Sequence, residues 1–413
     1  MSKPRRMLVV LVAALASLAV AAPPAAAAPR AAGAAPQAVP PQDDAFYTPP
    51  DPIPDVPAGT VLRSRPVSVT AYGLPVPVRA WQVLYRSTSA TGEPNAVSGT
   101  VLVPDTPWPG TGTRPLVSYA VGTHGLGPEC APSYKLARGT EQELPLIGQA
   151  LRRGWAVAVT DYEGLGTPGP HTYVAGPSLG HAMLDAARAA QHLPGSGLSP
   201  SSPVGLWGYS EGGFASGWAA QLEASYAPEL DIRGAAVGAP PTDPESLAEV
   251  HDGGPFSGLV IAAALGLATA YPDAPFEEIL TAEGRRAMAA LATMCVEEFS
   301  TRFALRTVGS YTTVDDPMAL PRWQDVLDAV RLGGTAPSSP TMIYHSPTDE
   351  LVLFDQGVQL HSAWCRGGAT VRFQPAVAGE HVLGAVTGAP LAVDYLAGRF
   401  AGRPAPDTCR VTG

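Results

Sequence analysis

Lysine is nearly absent from this 413-residue sequence. It occurs only at Lys3 and Lys135, so arginine carries almost all of the positive charge. That is a compositional bias and points to no function. Charge of either sign is sparse, at 15% of residues, and acidic groups outnumber basic ones by 36 to 26. The net charge of −10 argues against nucleic acid or an anionic membrane surface as a partner. Residues 1–30 hold Lys3, Arg5, Arg6 and Arg30 and no acidic group, so without them the charge becomes −14 (−10 − 4). Cysteine is also scarce: Cys130, Cys295, Cys365 and Cys409, none in C-x-x-C spacing. The histidines show no H-E-x-x-H or comparable ligand spacing, so no metal or cofactor is expected, and zinc is the weaker alternative to two disulfides. Spacing alone leaves all three disulfide connectivities open.

Long apolar runs are confined to two places. The first is Met7–Ala22, which follows the basic residues Lys3, Arg5 and Arg6 and precedes a tract of small residues. This reads as an export signal over residues 1–30, removed from a soluble, extracellular protein. A membrane anchor is the alternative, but the run is short for a span. The Arg5-Arg6 pair is a weak twin-arginine hint. Residues 31–60, rich in Ala, Pro and Asp, read as an extended linker. A single folded domain is expected over 61–413.

From Val61 the patterning is first that of paired strands, over 78–88 and 96–104. Apolar strands then alternate with amphipathic helices. Strands are expected at 115–122, 155–161, 203–210 and 233–240, with helices at 141–154, 180–193 and 212–227. Such alternation specifies an α/β fold with a mostly parallel sheet flanked by helices. It breaks between about 243 and 335, which reads as helices, and resumes with strands at 340–347 and 370–376 and a final helix near 384–400. An insertion at that point forms a cap over the C-terminal edge of the sheet, where ligands bind in such folds.

The pattern G-x-S-x-G occurs twice, around Ser178 and around Ser210, in a chain with 44 glycines. A nucleophile elbow requires a strand before the serine, a helix after it, and small neighbours that tolerate the strained turn. Ser210 meets each condition, with Gly208, Gly212 and Gly213 around it. Ser178 follows no strand and reads as the start of a helix. A serine nucleophile needs a histidine base, and the base needs an acid to hold it; in this fold they follow in the order Ser, Asp or Glu, His. His381 lies between the last strand and the last helix. His251, His345 and His361 fall at the start of the insertion, in a strand and in a helix. Asp349 follows directly on the strand at 340–347, with Glu350 and Asp355 as alternatives. An oxyanion hole needs two backbone N–H groups. Glu211 supplies one, and the loop carrying His124 and Gly125 is the candidate for the other.

"GTHGLGPECAPS" (122–133), "DYEGLGTPGPHTY" (161–173), "GYSEGG" around Ser210, "PTDELV" (347–352) and "GEHVLG" (379–384) together resemble the secretory lipase family of α/β-hydrolases, over roughly residues 60–410. The resemblance implies an extracellular lipase or esterase with a helical cap and the triad Ser210, Asp349 and His381. It further implies disulfides Cys130–Cys295 and Cys365–Cys409. The yeast enzymes of the family carry an acidic residue in the oxyanion loop, where this sequence reads Thr123-His124-Gly125. Glu211 follows the nucleophile, and its side chain should point away from the reacting carbonyl.

The expected activity is hydrolysis of carboxylic esters, of triacylglycerols or simpler acyl esters, through an acyl-enzyme. An acyltransferase or peptidase on the same triad is the alternative, because fold does not fix substrate. A lipid–water interface is a candidate partner; no obligate protein partner is implied. The second apolar run, "FSGLVIAAALGLATAY" (256–271), reads either as the buried core of the cap or as an acyl-binding wall or interface-facing lid.

Overall fold

The structure is a computed structural model that describes residues 38–71 and 73–409. The proposed export signal, residues 1–30, lies outside these residues. Within the described residues no helix is long and apolar enough to cross a membrane.

The central sheet has nine strands. They are β1 (Val61–Val67), β4 (Val78–Thr88), β5 (Pro94–Pro104), β6 (Leu116–Ala120), β7 (Ala156–Thr160), β8 (Val204–Tyr209), β9 (Ile232–Gly238), β10 (Thr341–His345) and β11 (Val371–Pro375). The two-residue strands β2 (Thr70–Ala71) and β3 (Leu74–Pro75) form a separate ribbon. The order across the main sheet is β1-β4-β5-β7-β6-β8-β9-β10-β11. β1, β4, β5 and β7 pair antiparallel, and the six strands from β7 to β11 pair parallel. Every residue of β6, β7, β8 and β10 is buried, as continuous apolar strands covered on both faces must be.

The covering helices are α1 (Pro132–Arg138), α2 (Leu144–Arg152), α3 (Gly176–His192) and α4 (Glu211–Tyr226). Between β9 and β10 stand α5 (Pro244–His251), α6 (Ser257–Ala270), α7 (Ala282–Leu291), α8 (Val296–Arg302) and α9 (Pro321–Val330). The chain closes with α10 (Phe354–Arg366) and α11 (His381–Phe400). Two boundaries differ from the sequence expectation in ways that matter for chemistry. α11 begins at His381, because the Glu380 carboxylate caps it by accepting the N–H groups of Val382 and Leu383. α2 begins only at Leu144, which leaves Glu141 and Glu143 outside the helix.

The described part of the stretch read as a linker packs against the domain. Phe46 and Tyr47 are buried in a small cluster with Leu84 and Ala96. The Arg65 guanidinium lies 4.4 Å above the Phe46 ring, and Gln82 Nε2 donates to the Tyr47 hydroxyl. Alanine and proline content masked these two aromatic anchors.

All four cysteines are paired, as Cys130–Cys295 and Cys365–Cys409. That removes the thiolates on which the zinc alternative depended. Cys130–Cys295 joins the segment after β6 to the N-terminus of α8, and Gly125 bridges to Cys295 beside it. Gly125 has φ +143°, and a Cβ there would sit 2.6 Å from Cys130 Sγ, so no other residue fits this crossing.

Candidate active site

Ser210 stands between β8 and α4 with φ +60° and ψ −123°, a conformation that costs a non-glycine residue free energy and persists only where the surroundings impose it. The surroundings here are very tight. A Cβ at Gly208 would lie 2.1 Å from the Gly212 carbonyl oxygen, and one at Gly212 would lie 2.0 Å from the Ala120 oxygen. The glycines around Ser210 therefore let strand and helix meet closely enough to form the turn.

His381 Nε2 lies 2.9 Å from Ser210 Oγ, and His381 Nδ1 lies 2.7 Å from Asp349 Oδ2. Asp349 Oδ1 accepts the N–H groups of Leu351 and Val352 at 3.0 and 2.8 Å. These bonds aim the carboxylate. With Asp349 an acceptor, the ring proton sits on Nδ1 and Nε2 is free to accept from the serine hydroxyl. Burial alone would raise the Asp349 pKa, but hydrogen bonds from His345 and His381 outweigh it and hold the carboxyl well below the usual carboxylate range. The Tyr209 hydroxyl donates to the His381 carbonyl at 2.8 Å and holds the backbone that carries the ring.

Neither alternative acid bonds the His381 ring among the described residues. Glu350 is exposed and accepts the His381 backbone N–H at 3.0 Å. Asp355 is exposed in the first turn of α10. Ser178 is buried in the first turn of α3, and its hydroxyl donates to Glu163 Oε2 at 2.5 Å. His251 Nε2 donates to the Leu351 carbonyl, His345 Nε2 to the Val352 carbonyl, and His361 contacts Thr408 and Cys365 in α10.

Glu211 opens α4, so its N–H is one of those that a helix leaves without an internal acceptor. Its side chain turns away and accepts from the fully buried His171 at 2.8 Å. On the facing loop, Gly122, Thr123 and His124 line the same cavity as Ser210 and Glu211, while Gly125 does not and lies against the disulfide. Neither the Thr123 nor the His124 N–H has a hydrogen-bond partner among the described residues. Two carboxylates that sequence reading absorbed into a helix support this loop. Glu143 Oε1 accepts the Gly122 N–H at 2.7 Å, and Glu141 Oε1 lies 2.9 Å from His124 Nε2. Only their placement before α2 reveals them, and the helical spacing of 141–154 hid it.

The cavity has a volume of about 620 Å³ and is walled mostly by apolar side chains. One face of α6 supplies Leu259, Val260, Ala263, Ala264 and Leu267 to it. Its other face is buried: Gly266 lies against the Tyr173 backbone and Gly258 against Phe299. One face of the run is thus core and the other cavity wall, as expected of a helix apolar all round. Val382 and Val386 of α11 line the cavity next to His381 and are exposed.

Comparison with known proteins agrees with this layout. The family model for secretory lipases matches residues 132–408. A Mycobacterium tuberculosis (strain CDC 1551 / Oshkosh) protein named a probable inactive lipase is 37% identical over 89% of this chain and 84% of its own length. Lipase 10 of Candida albicans is 33% identical over 90% of this chain and 84% of its own. The closed state of Candida antarctica lipase A superposes with a TM-score of 0.82 at 27% identity, covering 90% of this chain and 89% of that one. A nine-stranded α/β-hydrolase sheet, a serine on a strained turn under a helical insertion, and a family match over most of the chain lead to one assignment: this chain belongs to the secretory lipase family.

Proposed function

We propose that this protein is a secreted serine hydrolase of carboxylic esters whose natural substrates are acyl esters of lipids, triacylglycerols among them. The observation that carries the reading is the hydrogen-bonded series Ser210–His381–Asp349 opening onto an apolar cavity of about 620 Å³. In this reading Ser210 Oγ attacks the ester carbonyl while His381 Nε2 takes its proton. Asp349 stabilises the resulting imidazolium and holds the ring's orientation. The Glu211 N–H and N–H groups of the loop over Thr123 and His124 receive the charge that develops on the carbonyl oxygen. The leaving alcohol takes the proton from His381, and water then resolves the acyl-enzyme by the same steps. The acyl chain lies in the cavity against α6, and the ester faces the exposed side of α11. The mycobacterial relative carries the name of an inactive lipase; what supports activity here is that each member of the series is present and bonded to the next. An export signal over residues 1–30 and the two disulfides fit an extracellular site of action.

Chromogenic esters of graded acyl length, assayed with and without emulsified triacylglycerol, test the reading. Turnover that rises with acyl length and extends to the emulsion is expected. Cleavage of amides in preference to esters, or acyl transfer to an alcohol in preference to water, would replace it.

A further inference from the structure

The loop after β6 lies beside the nucleophile. A Cβ built on Gly122 would stand 3.7 Å from Ser210 Cβ and 3.0 Å from Glu143 Oε1. Side chains hold both peptide groups that meet at Gly122. The Gly122 N–H donates to Glu143, and the Gly122 carbonyl faces His124 Nδ1 at 2.8 Å. The other ring nitrogen faces Glu141. A carbonyl can only accept a hydrogen bond, and so can an ionised carboxylate. Both nitrogens of this ring, which is 5% exposed, therefore face acceptors, and only the imidazolium has a proton for each.

Charged groups reach the ring from three elements: Glu141 and Glu143 from the segment before α2, Lys135 from α1, and Glu297 from α8, which Gln142 binds. Burial alone would push the His124 pKa down. Glu141, helped by Glu143 and opposed by Lys135, overrides burial and raises it to about 9. The same pairing lowers the Glu141 carboxyl.

In a trans peptide the carbonyl and the N–H of one unit point to opposite sides. With the Gly122 carbonyl turned to the ring, the Thr123 N–H is turned away from it. We propose that the His124 imidazolium is a positioning residue for ester hydrolysis: by spanning the Gly122 carbonyl and Glu141, it locks the Gly122–Thr123 peptide so that the Thr123 N–H meets the developing oxyanion at Ser210. This rests on the hydrolytic reading. When the ring loses a proton, the carboxylate retains the N–H it faces. The Nδ1 lone pair then confronts the Gly122 oxygen, and the peptide is released.

Two variants separate the ring's two bonds. An asparagine amide stands where Nδ1 stood, and a glutamine amide reaches where Nε2 stood. His124→Asn keeps the donor to Gly122 and loses Glu141; His124→Gln does the reverse. The expected result is a kcat reduced roughly 100-fold with KM little changed in His124→Gln, because a misplaced donor acts on the transition state. His124→Asn should retain kcat within about tenfold of the parent. The parent's kcat should fall reversibly above about pH 9, and His124→Asn should lack that fall. Equal loss in the two folded variants, or a glutamine variant as fast as the parent, would overturn the proposal. Should neither variant fold, a parent kcat that stays level through pH 9–10 would overturn it. Ser210→Ala is the control: full activity there removes the hydrolytic reading itself, whereas an inactive Ser210→Ala with indifferent His124 variants removes only the lock.

Discussion

The two sides of the site are built differently. On one side, Asp349 and His381 follow adjacent parallel strands; local backbone N–H groups aim the Asp349 carboxylate, and that carboxylate aims the His381 ring at Ser210. On the other side, the loop over Gly122–Gly125 depends on side chains from three separate stretches. Glu143 and Glu141 hold it from before α2, and the Cys130–Cys295 bridge with the Gly125–Cys295 pairing ties it to the insertion. In the proposed mechanism this first side does the acid–base work, and it belongs to the sheet. The second side, which receives the oxyanion in that mechanism, belongs as much to the insertion as to the sheet, so changes in the insertion should reach catalysis through it.

The largest effects should come from the acid–base side. Ser210→Ala should abolish ester turnover in a folded protein, and His381→Ala should do nearly the same, because the two act as a unit. Asp349→Asn should cost about 10⁴-fold in kcat, having lost the imidazolium's charge partner and the correct tautomer. Steady-state rates on a soluble ester, with circular dichroism to establish folding, check all three.

The two disulfides sharpen the contrast. Cys130–Cys295 closes a separation of 165 residues, worth about 5 kcal/mol in the chain-entropy model. It also anchors the oxyanion loop, where a displacement of about an ångström can cost on the order of a hundredfold in rate. Replacing both cysteines by serine should therefore lower Tm and kcat together. Cys365–Cys409 closes 44 residues between α10 and the C-terminal segment, away from the cavity. Its removal should lower Tm and leave kcat near the parent's. Differential scanning calorimetry beside rates on the same samples makes the comparison.

The two sides should also fail at opposite ends of the pH scale. The Asp349 pKa is depressed, so the stability it contributes is present above the unfolded value near 3.9 and is lost as pH falls toward its folded value. The His124 pKa is raised to about 9, so its contribution is complete below about 6.5 and is lost as pH rises through 9. Denaturant midpoints measured across pH should fall at both ends, and His124→Asn should flatten only the alkaline one. The smallest effect belongs to Asp355→Asn. An exposed carboxylate in the first turn of α10 contributes about 0.3–1 kcal/mol through the helix dipole, and turnover should not change.

The same division decides what the sequence made legible. Ser210, Asp349 and His381 follow strands whose apolar runs stand out, so the G-x-S-x-G motif and the strand pattern, with Glu350 and Asp355 open as acids, singled out three residues that the fold joins by hydrogen bonds. His381 differed only in detail: Glu380 caps α11 and draws the histidine into the helix's first turn. The oxyanion side was harder to read. His124 and Gly125 stood out as part of a glycine-containing loop, yet Gly125 serves the disulfide crossing and His124 contributes its ring to a buried pair. Its partners lie 17 residues downstream or across the insertion, and no periodicity connects them. Glu141 and Glu143 fitted the start of an amphipathic helix, and nothing local marks a carboxylate that turns inward. Phe46 and Tyr47 were lost within Ala/Pro-rich composition for the same reason, since their packing partners lie in β4 and β5.

Trapping the acyl-enzyme tests the central claim most directly. The purified protein is mixed with an activated acyl ester, quenched in acid within the first turnovers, digested and mapped by mass spectrometry. The expected result is one acyl group on the peptide that contains Ser210, absent from Ser210→Ala. Turnover of the ester with the acyl group on any other residue, or undiminished turnover by Ser210→Ala, would contradict it.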